Sequence, residues 1–93
     1  DPPSFGRGKS GEVYKIEKDL TDTLAQCVKL LSEKPLFLLL SCHTPAYTPV
    51  VMRNLMGQAT SGLKGSIEAS EMLLAGKNCV LPLPSGTAAF WSA

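Results

Sequence analysis

Residues 36–41 read Leu36-Phe37-Leu38-Leu39-Leu40-Ser41, an unbroken apolar run fenced by Pro35 on one side and by Cys42-His43-Thr44-Pro45 on the other. The two prolines leave too little length for a helix, and a continuous run of this kind suits a strand buried on both faces, as in a parallel α/β sheet. Upstream, Leu20, Leu24, Cys27, Val28 and Leu31 share one helical face. A helix over about 20–33 is predicted, capped by Thr21 or Asp19 and closed by Pro35. Downstream, Thr48-Pro49 is a helix opening, a hydroxyl cap followed by proline in the first turn. Val51, Met52, Leu55, Met56 and Ala59 then follow at helical spacing until Ser61-Gly62. A strand is predicted over 66–74 around Ile67, Ala69 and Met72. The segment Leu81-Pro82-Leu83-Pro84-Ser85-Gly86 reads as a turn, because two prolines do not fit a central ladder. Thr87 to Trp91 is a last short strand. A helical crossover between two strands implies that they pair in parallel through a right-handed connection.

The chain has 93 residues, enough for one domain with a modest core, and its 44% hydrophobic and 18% charged content is that of a globular protein. Nine basic against eight acidic residues leave a net charge of +1, so the overall balance points to no polyanionic partner. Cys27, Cys42 and Cys79 are odd in number and lack metal-ligand spacing, which favours reduced thiols in a cytoplasmic protein and no metal site. No membrane span or signal peptide is expected. The chain opens on Asp1-Pro2-Pro3 without a methionine, and is expected to be a piece of a longer protein.

Residues 1–18 are rich in Gly, Pro, Lys and Glu and read as a long polar loop. Within it, Phe5 to Lys15 spells FGRGKSGEVYK, the G-x-G-x-x-G-x-V pattern of the loop that covers ATP phosphates in protein kinases. The context refuses that reading. A kinase loop needs a following strand with an ATP-binding lysine, a catalytic loop and a D-F-G. Here a helix is predicted next, and His43 precedes Thr-Pro rather than Arg-Asp. A dinucleotide fingerprint needs a strand where Pro2 and Pro3 stand. The glycines are there to let a polar loop turn.

Asp1-Pro2-Pro3-Ser4-Phe5 carries more chemistry. Neither proline has an N–H and both have φ fixed, so the segment is a stiff ledge with free carbonyls. Its carboxylate and carbonyls can accept hydrogen bonds from an amino group, and Phe5 can stack on a flat base. At the carboxyl end of a parallel strand, such a ledge lies where open α/β sheets bind ligands.

Three segments together, D-P-P-S-F-G-R-G-x-x-G-E-V-Y-K, L-F-L-L-L-S-x-H and L-P-S-G-x-x-A-x-W, resemble class I S-adenosylmethionine-dependent methyltransferases. The branch they resemble is related to large-subunit ribosomal RNA cytosine-C5 methyltransferases. The resemblance implies a Rossmann-like α/β fold of which this chain is the C-terminal half of the catalytic domain. Residues 1–18 would be the substrate-side loop after strand four, and 19–93 a helix-strand-helix-strand-strand unit. Strands five (about 36–41), six (66–74) and seven (about 86–91) would form a three-stranded mixed sheet in the order 5-7-6, strand seven antiparallel between the others, with two helices. In this family the cofactor sits mainly on a glycine-rich turn and an acid that would lie upstream of Asp1, so this chain alone is expected to be inactive.

The resemblance also implies residue roles. Asp1, Pro2, Pro3 and Phe5 match the substrate-side motif, with Asp1 also a candidate catalytic group. Cys42 is a candidate nucleophile, since cytosine-C5 methylation requires a thiolate to add at C6; read plainly, it is a small buried apolar residue. His43 is a candidate base or substrate contact, and Arg7 and Lys9 could touch RNA phosphates. Cys27, Phe90 and Trp91 are read as core or sheet cover, and Cys79 as part of a turn. The implied cofactor is S-adenosylmethionine and the implied partner RNA, in ribosomal RNA processing. Two alternatives stay open: a methyltransferase of another substrate class, and a non-catalytic module that self-associates through the exposed edge of strand five.

Overall fold

Seven elements follow one another in a computed structural model that describes residues 1–78 and 80–93. They are β1 (Phe5–Arg7), β2 (Val13–Lys15), α1 (Ile16–Lys29), β3 (Phe37–Cys42), α2 (Pro49–Ala59), β4 (Ser66–Leu74) and β5 (Leu83–Ser92). The turn expected at Cys79 lies outside the described residues.

β3, β5 and β4 form one sheet in that spatial order, which is the expected order 5-7-6. β5 runs antiparallel to both neighbours. The direct parallel pairing expected from the helical crossover is therefore corrected. α2 does make β3 and β4 parallel, but β5 occupies the slot between them. Every pairing within this chain is antiparallel, and the sheet is not mixed. Where the three strands line up, Ala89 of β5 stands between Leu40 of β3 and Ala69 of β4.

β5 also starts earlier than expected and includes Pro84. The ladder tolerates this proline because β3 ends at the Cys42–Thr87 pair, so Pro84 faces only β4, next to a register shift between Met72 and Leu73. A proline in a one-sided stretch leaves no central partner unpaired.

The polar loop expected over 1–18 is instead largely a hairpin. β1 pairs antiparallel with β2, Phe5 opposite Lys15 and Arg7 opposite Val13. α1 begins at Ile16, four residues earlier than predicted, because Ile16, Leu20 and Leu24 form one buried stripe at i, i+4 spacing. Neither Thr21 nor Asp19 is its N-cap residue; Lys15 is, and its N–H donates to the Asp19 carboxylate at 2.8 Å. The helix ends at Lys29, well before Pro35.

α2 lies against β4 and β5, and α1 against α2 and β2. Leu40 and Cys42 of β3, Ala89 and Trp91 of β5, and Met52 and Met56 of α2 close the core with the α1 stripe. Cys27 is only half-buried. The opposite sheet face is open. Phe37 and Leu39 are more than half exposed, and Phe37 stacks on Phe90 at 5.7 Å between ring centroids. The strand at 36–41 is thus buried on one face, not two.

The predicted opening of α2 is present: Thr48 is the N-cap, and its hydroxyl accepts from the Val51 N–H at 3.3 Å. Thr48→Ala is expected to lower stability by about 1 kcal/mol in urea denaturation, with Thr48→Ser close to neutral. Equal midpoints for Thr48→Ala and the parent chain would show that water caps the helix as well as the hydroxyl does.

Candidate functional site

Three segments meet at the end of β3: the N-terminal stretch Asp1–Ser4, the corner Cys42-His43-Thr44, and Ser85-Gly86 of β5. The imidazole of His43 bridges them. Its Nε2 lies 3.5 Å from Asp1 Oδ2, and its Nδ1 lies 2.5 Å from the Ser85 carbonyl oxygen. A carbonyl only accepts, so Nδ1 carries the proton of that bond. Beside it, the hydroxyls of Ser4 and Thr44 are 2.5 Å apart. The Ile16 N–H donates to the Ser4 carbonyl at 3.1 Å, tying the segment to the start of α1.

Gly86 makes this arrangement possible. Its φ is +127°, and a Cβ there would lie 2.6 Å from the Cys42 carbonyl oxygen and 2.9 Å from His43 Nδ1. Only glycine combines that backbone with so close an approach of the imidazole. Next to it, a cavity of about 260 Å³ is lined by His43, Tyr47, Thr48, Glu71, Gly86 and Thr87 among others. Ala46, on its rim, has a φ of +74°, in the left-handed region that alanine rarely adopts. Burial pushes the Tyr47 phenol above its ordinary pKa, and the nearby Glu17 carboxylate adds to the shift.

Of the candidate residues, the structure brings Asp1 to His43 and puts Pro3 with Arg7 on a groove between the hairpin and α1. Asp1 and His43 are both about half exposed. Cys42 directly precedes His43 but points the other way, as alternation along a strand requires. It is 1% exposed and belongs to the core cluster with Met52 and Trp91. Phe5 keeps an exposed ring, with the Arg7 guanidinium 5.9 Å from its centroid. Lys9 stands exposed in the loop between β1 and β2.

That loop is the glycine pattern, and its donors are spent internally. The Gly8 N–H donates to the Glu12 carbonyl at 2.8 Å, the Gly11 N–H to the Gly8 carbonyl at 3.2 Å, and the Ser10 N–H to the Glu12 carboxylate at 3.1 Å. Gly11, at φ +85°, supplies the left-handed residue of the turn. A phosphate cradle needs such N–H groups free and convergent, so the kinase-like spelling is a hairpin. Between this hairpin and α1 runs a groove of about 580 Å³ whose lining holds Glu12, Asp19 and Asp22 against Arg7 alone. Those carboxylates disfavour phosphate inside the groove.

Sequence reasoning missed the Ser4–Thr44 contact and the role of Gly86. Only the spelling L-P-S-G hinted at the latter, and it was read as a turn. Among the described residues no cluster of His, Cys, Asp or Glu is arranged to hold a metal ion, and no helix is long and apolar enough to cross a membrane.

Among solved structures, the chain is similar to a SAM-dependent methyltransferase from Agrobacterium tumefaciens. The TM-score is 0.89 and the sequence identity 31%, over 99% of this chain. The match takes up 31% of that chain, so the present sequence spans about a third of the length of the solved relative. No protein-family model and no curated protein matches the chain. Its fold is that of the matched segment of that methyltransferase. The glycine loop offers no cradle for S-adenosylmethionine, because its N–H donors are already paired.

Proposed function

We propose that this chain is the acceptor side of an S-adenosylmethionine-dependent methyltransferase, and that its acceptor is a base in RNA, with C5 of cytosine the leading atom. The observation that carries the reading is the Asp-Pro-Pro-Ser ledge, held at the end of β3 by His43 and Thr44, which themselves line an open cavity, in a chain that superposes on a methyltransferase. The Asp1 carboxylate and the proline carbonyls can accept from the exocyclic amine of a base, Phe5 can stack on the ring, and Arg7 and Lys9 can meet the flanking phosphates. A base in a duplex must be flipped out to reach the ledge. The cofactor supplies an already activated methyl group when bound. The ledge aligns the acceptor and keeps it from water. Ribosomal RNA as the substrate and the cytoplasm as the compartment belong to the same reading.

A second reading is favoured by the burial of Cys42. Addition at C6 needs a thiolate that touches the ring, and this thiol is shut in the core. An exocyclic amine needs no such nucleophile, only acceptors such as Asp1 and the proline carbonyls. Cys42→Ala separates the two in a methyltransferase carrying this sequence together with a cofactor-binding half. C5 transfer would collapse, whereas transfer to an amine would continue, with at most a stability loss from a small core cavity.

The chain alone is expected to self-associate, as a second copy or another strand is the natural cover for the outer edge of β3. Among the described residues β3 pairs only with β5, and Phe37, Leu39 and Phe90 are exposed beside it. Sedimentation over a concentration series should show dimers growing in. A monomer persisting at about 100 µM, above the micromolar range of ordinary weak association, would count against this.

A further inference from the structure

We infer that His43 and Thr44 form a two-point clasp that positions the Asp1–Ser4 ledge, so that His43 serves the acceptor site as a positioning residue. The functional meaning of the clasp rests on the methyltransferase reading; its existence does not. Among the described residues the segment has few other polar ties. Asp1 and Ser4 are exposed, and the two prolines bring no N–H donors. Its ties are the Asp1–His43 contact, the Ser4–Thr44 hydrogen bond and the Ile16 N–H on the Ser4 carbonyl. Two of the three come from the corner after β3.

The chemistry of the imidazole makes it a rigid link. With the Nδ1 proton given to the Ser85 carbonyl, the ring cannot rotate without breaking that bond, and Gly86 leaves it no slack. Nε2 is then aimed at the Asp1 carboxylate, and the contact becomes an ion pair when Nε2 is protonated. Glu71, across the cavity, is the other carboxylate near this ring. The Asp1 oxygen is thereby referred to the backbone of β5, the central strand. A carboxylate that must meet an acceptor within a few tenths of an ångström needs such an anchor.

Two substitutions separate the halves of the link. Asparagine places an amide N–H near the position of Nδ1 and can keep the Ser85 bond, but cannot reach Asp1. Glutamine places its amide near the position of Nε2 and can keep the Asp1 contact. The test is ¹⁵N relaxation of the Ser4 and Phe5 amides. The variants are His43→Asn, His43→Gln, Thr44→Val and His43→Asn with Thr44→Val. The parent chain should show the order of a rigid backbone, with order parameters near 0.85. His43→Asn and His43→Gln, each keeping one half of the link, should fall between the parent and the double variant. The double variant should fall below about 0.6 at Ser4, while Ala89 in β5 stays rigid and so reports an intact fold. Unchanged order at Ser4 in the double variant overturns the clasp, as do His43→Asn and His43→Gln that both keep the order of the parent. This readout needs neither cofactor nor acceptor. A rigid ledge in a protein that transfers no methyl group would overturn the methyltransferase reading alone, and a mobile ledge in an active enzyme would overturn the clasp alone.

Discussion

Replacing Asp1 by alanine, in a methyltransferase that carries this sequence with a cofactor-binding half, is expected to lower methyl transfer about 100-fold, the usual scale for loss of a positioning contact at a reacting group. The side chain is half exposed and contributes little burial, so the fold should not notice the change. The carboxylate is the one charged acceptor on the ledge, and a base amine held there loses its strongest orienting bond without it. Asp1→Asn keeps the shape, removes the charge and should retain part of the activity. Steady-state methyl transfer with labelled cofactor measures both variants. Parent-like turnover in Asp1→Ala would take the ledge out of the site.

Gly86→Ala should have the largest effect on the fold. The new Cβ would lie 2.6 Å from a backbone oxygen that cannot swing aside, at a φ of +127° that side chains avoid. Strain of that kind costs about 3 kcal/mol, out of a total stability on the order of 5–10 kcal/mol for a small domain. Relief requires β5 to separate from β3 at the Cys42–Thr87 pair or the His43 ring to leave the Ser85 carbonyl. The control is Gly62→Ala, where a Cβ would meet nothing within 4 Å. Urea midpoints should drop sharply for Gly86→Ala and barely move for Gly62→Ala. Equal midpoints would mean that the corner is softer than its geometry suggests.

Some of this was open to a reader of the residues. The prolines at 35 and 45 delimit β3, and Thr48-Pro49 marks the start of α2 by a mechanism, a hydroxyl for the orphan N–H groups and a ring that needs none. The order of the sheet followed from the resemblance, not from periodicity. Three features were hidden for physical reasons. β1 and β2 have three residues each, too few for an alternating pattern to show. Ile16 stands alone among Lys15, Glu17 and Lys18, so the first turn of α1 was read as loop. In Leu36–Leu40 every residue is apolar, so the run has a length but no phase. Nothing in the spelling says whether Cys42 or His43 turns inward, and the structure puts the thiol in the core and the imidazole in the site. The contacts Ser4–Thr44 and His43–Ser85 span about forty residues, beyond any local signal.

The account stands most directly on what the ledge receives. The decisive measurement is methyl transfer from labelled S-adenosylmethionine to RNA by a methyltransferase carrying this sequence, followed by digestion and identification of the labelled nucleoside. Label is predicted in a base of RNA, with its loss in Asp1→Ala; 5-methylcytidine would mark C5 as the acceptor atom, and an amine-methylated base the reading that the buried Cys42 favours. RNA that stays unlabelled while a protein or small-molecule acceptor takes the methyl group, or label that survives unchanged in Asp1→Ala, would contradict it.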